Sequence, residues 1–565
     1  MTYNQLRGVF CVALAAAGAV ASFAGEEKPA WPDCVPCKPD NRFTVEGAIP
    51  VVSMLYKGQY NTLHSGEKKS FDLVTVGDSI TCNWSVRDRD GYYALSPKGY
   101  PDGVFNLGIG GDRIEQVLWR LEEGGLLENF TTKYFTLLIG TNNSYQRRME
   151  QNTACDKPEE MVAGIRRIIW DLTTKHPEAK ILLMPILPYE SLADSRAVDC
   201  RVNNEAVNDL IIRFVDNKRV FWLDLRGAFL NADGTFRDEY WSADGAPGSD
   251  GKGHYLHPAG KGYKEVFNPA VAAAMKKYAA VPAGTAQETD PSLGYAEVVV
   301  DGAKASAAIR LHGVYGGTDA AAKAAPTYSV DYRLDGGDWK TALKGQSGVS
   351  AVFTVPDLAV GKHVCEIKVT TDAGKSVTTT AEFTMCEAWS AVKLTGEAAS
   401  VRTDGELAYA YAQRECTANG VKFARLPAIE TDDLDWGLIF GFTSQHPTPE
   451  GTEKGGYADL LGAGWWIPGQ TGGKKVPLTL KKLTPGAKYL VQIFAYRSAC
   501  NEGKVWIDGT SKSTTFIKAG TSEWPFGGSL VCTFTADESG SKTVDVMIEG
   551  QSALNAVQVR KLAAK

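Results

Sequence analysis

The chain has no basic tract, and its 60 lysines and arginines against 66 acidic residues leave a net charge of −6. Neutralising phosphates takes a clustered basic surface, so a nucleic-acid partner is not expected. No long apolar run occurs after residue 24, so no stable membrane span is expected in the mature protein. Cys34 and Cys37 lack the second closely spaced Cys or His pair that a zinc ribbon needs. Pro32, Pro36 and Pro39 crowd them, so no helix can start there to lower a thiol pKa. A small structural loop is the expectation for that segment. Nothing in the chain calls for a metal or a cofactor.

What is present points to several domains, because 565 residues exceed one core. Val9 to Ala21 is an apolar, alanine-rich run behind Arg7, ending at Ser22-Phe23-Ala24. This reads as a signal peptide over residues 1–24, too short to cross a bilayer. Its removal would leave a secreted, periplasmic or cell-surface protein. Of 11 cysteines, loss of Cys11 leaves an even number, and an oxidising compartment predicts disulfides among them. Cys155 and Cys200 each follow a strand end and are expected to bridge at the rim of one crevice.

The stretch Phe71-Asp72-Leu73-Val74-Thr75-Val76-Gly77-Asp78-Ser79-Ile80-Thr81 organises the rest. A short apolar run reads as a buried strand, which breaks at glycine and presents a serine where a helix begins. Such a turn lifts the Oγ above a sheet edge and points free N–H groups at a developing oxyanion. Read alone, Gly-Asp-Ser is equally a turn with Asp or Ser as helix cap. Further strands are predicted over 104–109, 134–139, 180–187 and 220–225, with helices over 114–121, 159–176 and 202–218. Alternation of this kind argues a parallel sheet covered on both faces, with ligands at the carboxyl ends of its strands. Asn142 stands just past one strand end, and His257 is a residue suited to moving protons near neutral pH.

Gly-Asp-Ser-Ile-Thr, Asn-Leu-Gly-Ile-Gly-Gly-Asp, Gly-Thr-Asn-Asn and Tyr-Leu-His-Pro occur in the order and spacing of four blocks. Together they resemble the SGNH (GDSL-like) hydrolases, and most closely the branch of platelet-activating-factor acetylhydrolase-like esterases. Arg120-Leu121, Arg201, Asn204, Val207 and Asn208 are similar to that branch as well. The resemblance spans residues 72–278 and implies a three-layer, flavodoxin-like α/β domain. It implies Ser79 as nucleophile, His257 as general base, and Ser79 N–H, Gly111 N–H and the Asn142 amide as oxyanion donors. The family places Asp three residues before the base, where this chain has His254. The loop 242–253 carries Asp244 and Asp250, and Asp250, the nearer, is the candidate to orient His257 in its place.

Domain limits are expected at 25–280 for the hydrolase, 285–387 for an immunoglobulin or fibronectin-III-like sandwich, and 390–565 for another β-sandwich. Residues 279–284 read as a linker. Short alternating strands with Leu334-Asp335-Gly336-Gly337 and Asp372-Ala373-Gly374-Lys375 turns carry the middle reading. In the last unit Trp436, Tyr457, Trp465, Trp466 and Trp524 cluster in sequence. Flat aromatic faces suit sugar rings, and they equally fill a jelly-roll core. Trp465 and Trp466 are the candidates for glycan contact, because strand neighbours face opposite ways. The expected function is a secreted serine esterase acting on O-acetyl groups of a carbohydrate. The alternatives are a lipid or phospholipid esterase and a surface glycan-binding adhesin with an impaired hydrolase domain.

Overall fold

The computed structural model describes residues 49–99, 102–145, 157–191, 197–242, 254–316, 327–385, 387–425, 432–435, 442–445, 448, 450–466, 474–496, 503–507, 526–550 and 553–563. Five parallel strands form the described sheet of the first domain, in the order β2-β1-β3-β4-β6. They are β1 (Lys69–Gly77), β2 (Val104–Asn106), β3 (Phe130–Leu138), β4 (Lys180–Leu183) and β6 (Val220–Trp222), with β5 (Glu190–Ser191) and β7 (His254–Tyr255) pairing separately. Every residue of β1 from Phe71 to Gly77 is buried, as a strand covered on both faces requires. One core packs Val74, Val76, Phe135 and Leu137 against Val117, Leu118, Ile165, Ile168 and Val207. The other packs Leu73, Leu138 and Leu182 against Ile80, Trp84, Tyr263 and Val271. These cores place helices Ile114–Glu122, Pro158–Lys175 and Ala197–Ile211 on one side, with Ser79–Arg87 and Asn268–Tyr278 opposite. A helix at Ile49–His64 precedes the sheet and was not legible as such in the sequence.

Residues 295–385 form two antiparallel sheets around a shared core that includes Ile309, Leu311, Val330, Ile367 and Val369. One orders β11 (Lys340–Gln346), β10 (Tyr328–Leu334), β13 (Gly361–Thr371) and β14 (Ser376–Met385); the other orders β12 (Ser350–Val355), β9 (Ser306–His312) and β8 (Tyr295–Asp301). In the last region the described strands make a larger and a four-stranded sheet, with Val476, Val491, Ile493, Val546 and Val557 between them. The larger sheet carries a second apolar cluster around Phe423, Phe494 and Tyr496. Tyr457 belongs to that cluster, 1% exposed, with its hydroxyl donated to the Thr395 carbonyl, so it is core rather than a ligand platform.

Two expectations need correction. Residues 279–284 are not a free linker. Lys180 Nζ donates to the Tyr278 and Val281 carbonyls, and the Gly284 N–H donates to Lys218 O at 3.0 Å. Just beyond, Gln287 N–H donates to Asn217 O at 2.9 Å, which seats the chain on the first domain. Pairing of the cysteines is not general either. Cys82, Cys365 and Cys416 are free thiols, with Cys365 and Cys416 in different packed cores. Cys155 lies outside the described residues, and Cys200 Sγ donates to the Ser144 carbonyl at 3.0 Å.

Candidate active site

Strand β1 delivers the centre of the site. At its last residue, Gly77, a Cβ would lie 2.2 Å from both the Leu138 carbonyl and Thr81 Oγ1, so only glycine fits. Asp78 caps the next helix. Its Oδ1 accepts the Ile80 N–H at 2.9 Å, and its carbonyl accepts the Cys82 N–H at 2.9 Å. Because Asp78 supplies the cap, Ser79 is the first helical residue and its hydroxyl is left for other use. The Ser79 N–H is one of the donors that a helix start leaves without an intrahelical acceptor.

His257 Nε2 lies 2.8 Å from Ser79 Oγ. The loop that brings it there is fixed by backbone and side-chain bonds. The Ser242 N–H donates to the His257 carbonyl at 2.9 Å, and Trp241 bridges to Pro258. Arg87, in the last turn of the nucleophile's own helix, donates Nη1 to the Pro258 carbonyl at 2.8 Å. Tyr263 closes the other side, giving its buried hydroxyl to the Ile80 carbonyl at 2.6 Å. Nucleophile and base are therefore held by the same helix.

Beyond β2 the chain turns through Gly108 to Gly111. A Cβ on Gly110 would come within 4.0 Å of Ser79 Cβ, which sets this loop directly against the nucleophile. Gly111 has φ +75°, a conformation that side chains disfavour. Asn142 Nδ2 donates to the Asp112 carbonyl at 2.8 Å, which ties its amide to the residue after Gly111. Asp112 and Arg120 form a fully buried ion pair at 2.7 Å, and Arg120 Nη1 reaches the Leu107 carbonyl at 2.8 Å. Next to it, Asn143 accepts the Ile114 N–H at 3.0 Å and donates to Glu115 at 3.1 Å. Burial pushes the Cys82 thiol up, and the Gly110 N–H donated to its sulfur offsets only part of that. Cys82 is thus a neutral hydrogen-bond partner of the loop rather than a second nucleophile.

The structure brings Ser79 and His257 together, sets Gly110 and Gly111 beside them, and anchors Asn142 one residue away. His254 lies in β7, paired through its backbone with Ser191, and the chain then bends through Leu256 to His257. Leu256 packs on Tyr189 and Cys200. The His254 side chain, Asp244 and Asp250 lie outside the described residues. Trp465 and Trp466 occupy the strand Ala463–Trp466, opposite Thr443 and Phe442 on one side and Leu554 and Ala553 on the other. Their side chains also lie outside the described set. No cluster of three or more His, Cys, Asp or Glu side chains among the described residues is placed to hold a metal ion. Sequence reasoning passed over Arg87, whose only signal was its place in the last turn of the nucleophile's helix.

A half-buried serine at a strand-to-helix turn, an imidazole in contact with it, and clustered donors at its side suit acyl transfer through a covalent intermediate. The profile of the GDSL-like lipase/acylhydrolase family matches residues 75–265, which include all of these groups. Platelet-activating factor acetylhydrolase IB subunit alpha2 of Rattus norvegicus is 31% identical over 204 residues, covering 36% of this chain and 75% of that protein. The alpha1 subunit of Pongo abelii is 28% identical over 192 residues, covering 33% of this chain and 74% of that protein. Among solved structures, a GDSL-like lipase from Bacteroides thetaiotaomicron is similar at 16% identity with a TM-score of 0.30, covering 39% of this chain and 97% of that one.

Proposed function

Since the chain belongs to the GDSL-like lipase/acylhydrolase family and is an ester hydrolase, we propose that it is exported and removes O-acetyl groups from a carbohydrate. In this reading Ser79 Oγ attacks the ester carbonyl as His257 Nε2 takes its proton. The oxyanion is met by the N–H groups of Ser79 and Gly111 and by the Asn142 amide. His257 returns the proton to the departing sugar hydroxyl, leaving an acetyl-enzyme. Water activated by His257 then releases acetate and restores Ser79. The observation that carries the reading is the 2.8 Å contact between Ser79 Oγ and His257 Nε2.

Acetyl as the acyl group is supported by relatives whose name is acetylhydrolase. A carbohydrate as its carrier is supported by the apolar leader at residues 9–21 and by the appended β-sheets, with Trp465 and Trp466 as glycan contacts. The relatives' name equally favours a second reading, an acetylated phospholipid as substrate. Acetate release from acetylated polysaccharides, set against acetylated phospholipid and long-chain esters, separates the two. Turnover of the polysaccharide alone supports the first reading. Turnover confined to lipid esters sinks it.

A further inference from the structure

The helix Ile49–His64 stands before the segment that the family profile matches, yet one of its residues reaches the glycine loop. Gln59 is buried, and its Nε2 donates to two carbonyls, Asn106 O at 3.2 Å and Gly108 O at 3.3 Å. Its Oε1 accepts nothing among the described residues, so the amide acts here only as a donor. The opposite amide orientation would set an oxygen against two carbonyl oxygens and is excluded on that ground.

Each successive peptide of the loop is held at both ends. The Asn106 carbonyl takes Gln59, while the Leu107 N–H of the same peptide donates to Thr75 O at 2.8 Å. The Leu107 carbonyl takes Arg120 Nη1 at 2.8 Å, while the Gly108 N–H donates to Asn106 Oδ1 at 2.7 Å. The Gly108 carbonyl takes Gln59 again, while the Ile109 N–H donates to Gly77 O at 3.4 Å. The Ile109 carbonyl takes the Asp112 N–H at 3.2 Å, and the Gly110 N–H goes to the Cys82 sulfur. The next N–H, that of Gly111, has no backbone acceptor among the described residues. Four fixed peptide planes thus leave one donor aimed by the rest.

We propose that Gln59 is a positioning residue for this reaction, locking the loop so that the Gly111 N–H stands where the oxyanion forms. This rests on the esterase reading above. Gln59 touches no substrate; it acts through the Asn106 and Gly108 carbonyls. Preorganised donors act mainly in the transition state, so a loosened loop costs turnover rather than affinity.

The test compares full-length wild type with Gln59→Met, which keeps the volume and loses the donor, and Gln59→Glu, which is isosteric. On a small acetyl ester Gln59→Met should lower kcat about tenfold with KM within about twofold, less than the hundredfold typical of deleting an oxyanion donor outright. Gln59→Glu should be worse at neutral pH, and its activity relative to wild type should rise as pH falls and the carboxyl regains a proton to donate. Independently of activity, amide hydrogen exchange at Gly108–Gly111 should quicken in Gln59→Met while the β3 and β4 amides stay protected. Wild-type exchange in that loop, or a kcat loss matched by faster exchange throughout the domain, overturns the proposal. Faster loop exchange in a protein whose wild type turns over no ester would support the clamp and remove the esterase reading instead.

Discussion

Ser79 owes its availability to its neighbour, since Asp78 takes over the capping that a serine at a helix start would otherwise perform. Ser79→Ala should therefore abolish ester hydrolysis and leave the thermal midpoint unchanged; a variant that keeps most of its turnover would remove the central assignment. Asn142 has one amide N–H committed to the Asp112 carbonyl, which fixes the direction of the other. Asn142→Ala is expected to lower kcat by about a hundredfold with little change in KM, as for a donor used in the transition state. A change confined to KM would contradict that role. The partner that orients His257 is tested by comparing Asp250→Asn with His254→Asn. Replacing such a carboxylate by an amide costs about ten-thousandfold in the serine protease triad, so Asp250→Asn should do far more harm. Damage from His254→Asn instead would favour a histidine pair.

At the scale of the element, the β10–β11 turn of the middle sandwich carries a charge-based fastening. Asp335 adopts φ 51°, its Oδ1 accepts the Val364 N–H at 2.8 Å, and its Oδ2 meets His363 Nδ1 at 2.8 Å. The other ring nitrogen of His363 meets the Ala359 carbonyl at 2.7 Å, so both nitrogens face acceptors and the imidazolium is the form that satisfies them. Burial alone would lower the His363 pKa, but the bonds to Ala359 O and Asp335 outweigh it and raise the value. The Asp335 carboxyl is held low by the Val364 N–H and by His363. A raised histidine contributes stability below its unfolded value of about 6.5, and loses it as pH climbs through the folded one. A depressed aspartate contributes above its unfolded value of about 3.9, and loses it as pH falls through the folded one. The sandwich should thus be most stable in mildly acidic solution, and His363→Gln should flatten the fall in thermal midpoint on the alkaline side. An unchanged pH profile in that variant would show that the contact carries no linkage.

At the scale of the molecule, the hydrolase and the middle sandwich meet through buried charge. Arg226, fully buried, pairs with Glu205 and with Asp224 at 2.6 Å, and its guanidinium lies over the Tyr295 ring of β8. His312 of β9 lies 3.1 Å from Glu297 and 3.7 Å from Glu205, and stacks on Tyr295. Burial would lower the Arg226 pKa, but Asp224 and Glu205 more than reverse this. Three glycines let the domains approach: a Cβ on Gly227 would strike Gly294 O at 2.2 Å, one on Gly294 would strike Asp224 at 2.6 Å, and one on Gly313 would strike Arg226 at 2.1 Å. Removing one member of a buried pair strands the others, at a cost of about 3–5 kcal/mol. Arg226→Met should therefore destabilise hydrolase and sandwich together, read as a shifted urea midpoint with coincident transitions for both. Two separate wild-type transitions would show that the domains are independent.

The sequence by itself determined the elements whose causes are local. Strand β1, the glycine that ends it and the helix opening at Ser79 come from a buried run, a required absence of Cβ and a cap, all within Phe71 to Ile80. The order of strands and helices in the hydrolase, and the antiparallel β character of the two downstream units, were legible from hydrophobic period and turn residues in the same way. Tertiary structure decided what depends on partners remote in the chain. Gln59 meets Gly108 across 49 positions, and Lys180 meets the supposed linker at Val281 across 101. Tyr457 became core beside Cys416 in the last unit, while Cys365 packs inside the middle sandwich and Cys82 lies against the glycine loop. Periodicity records which face of an element is buried. What it is buried against is set only when the chain closes on itself.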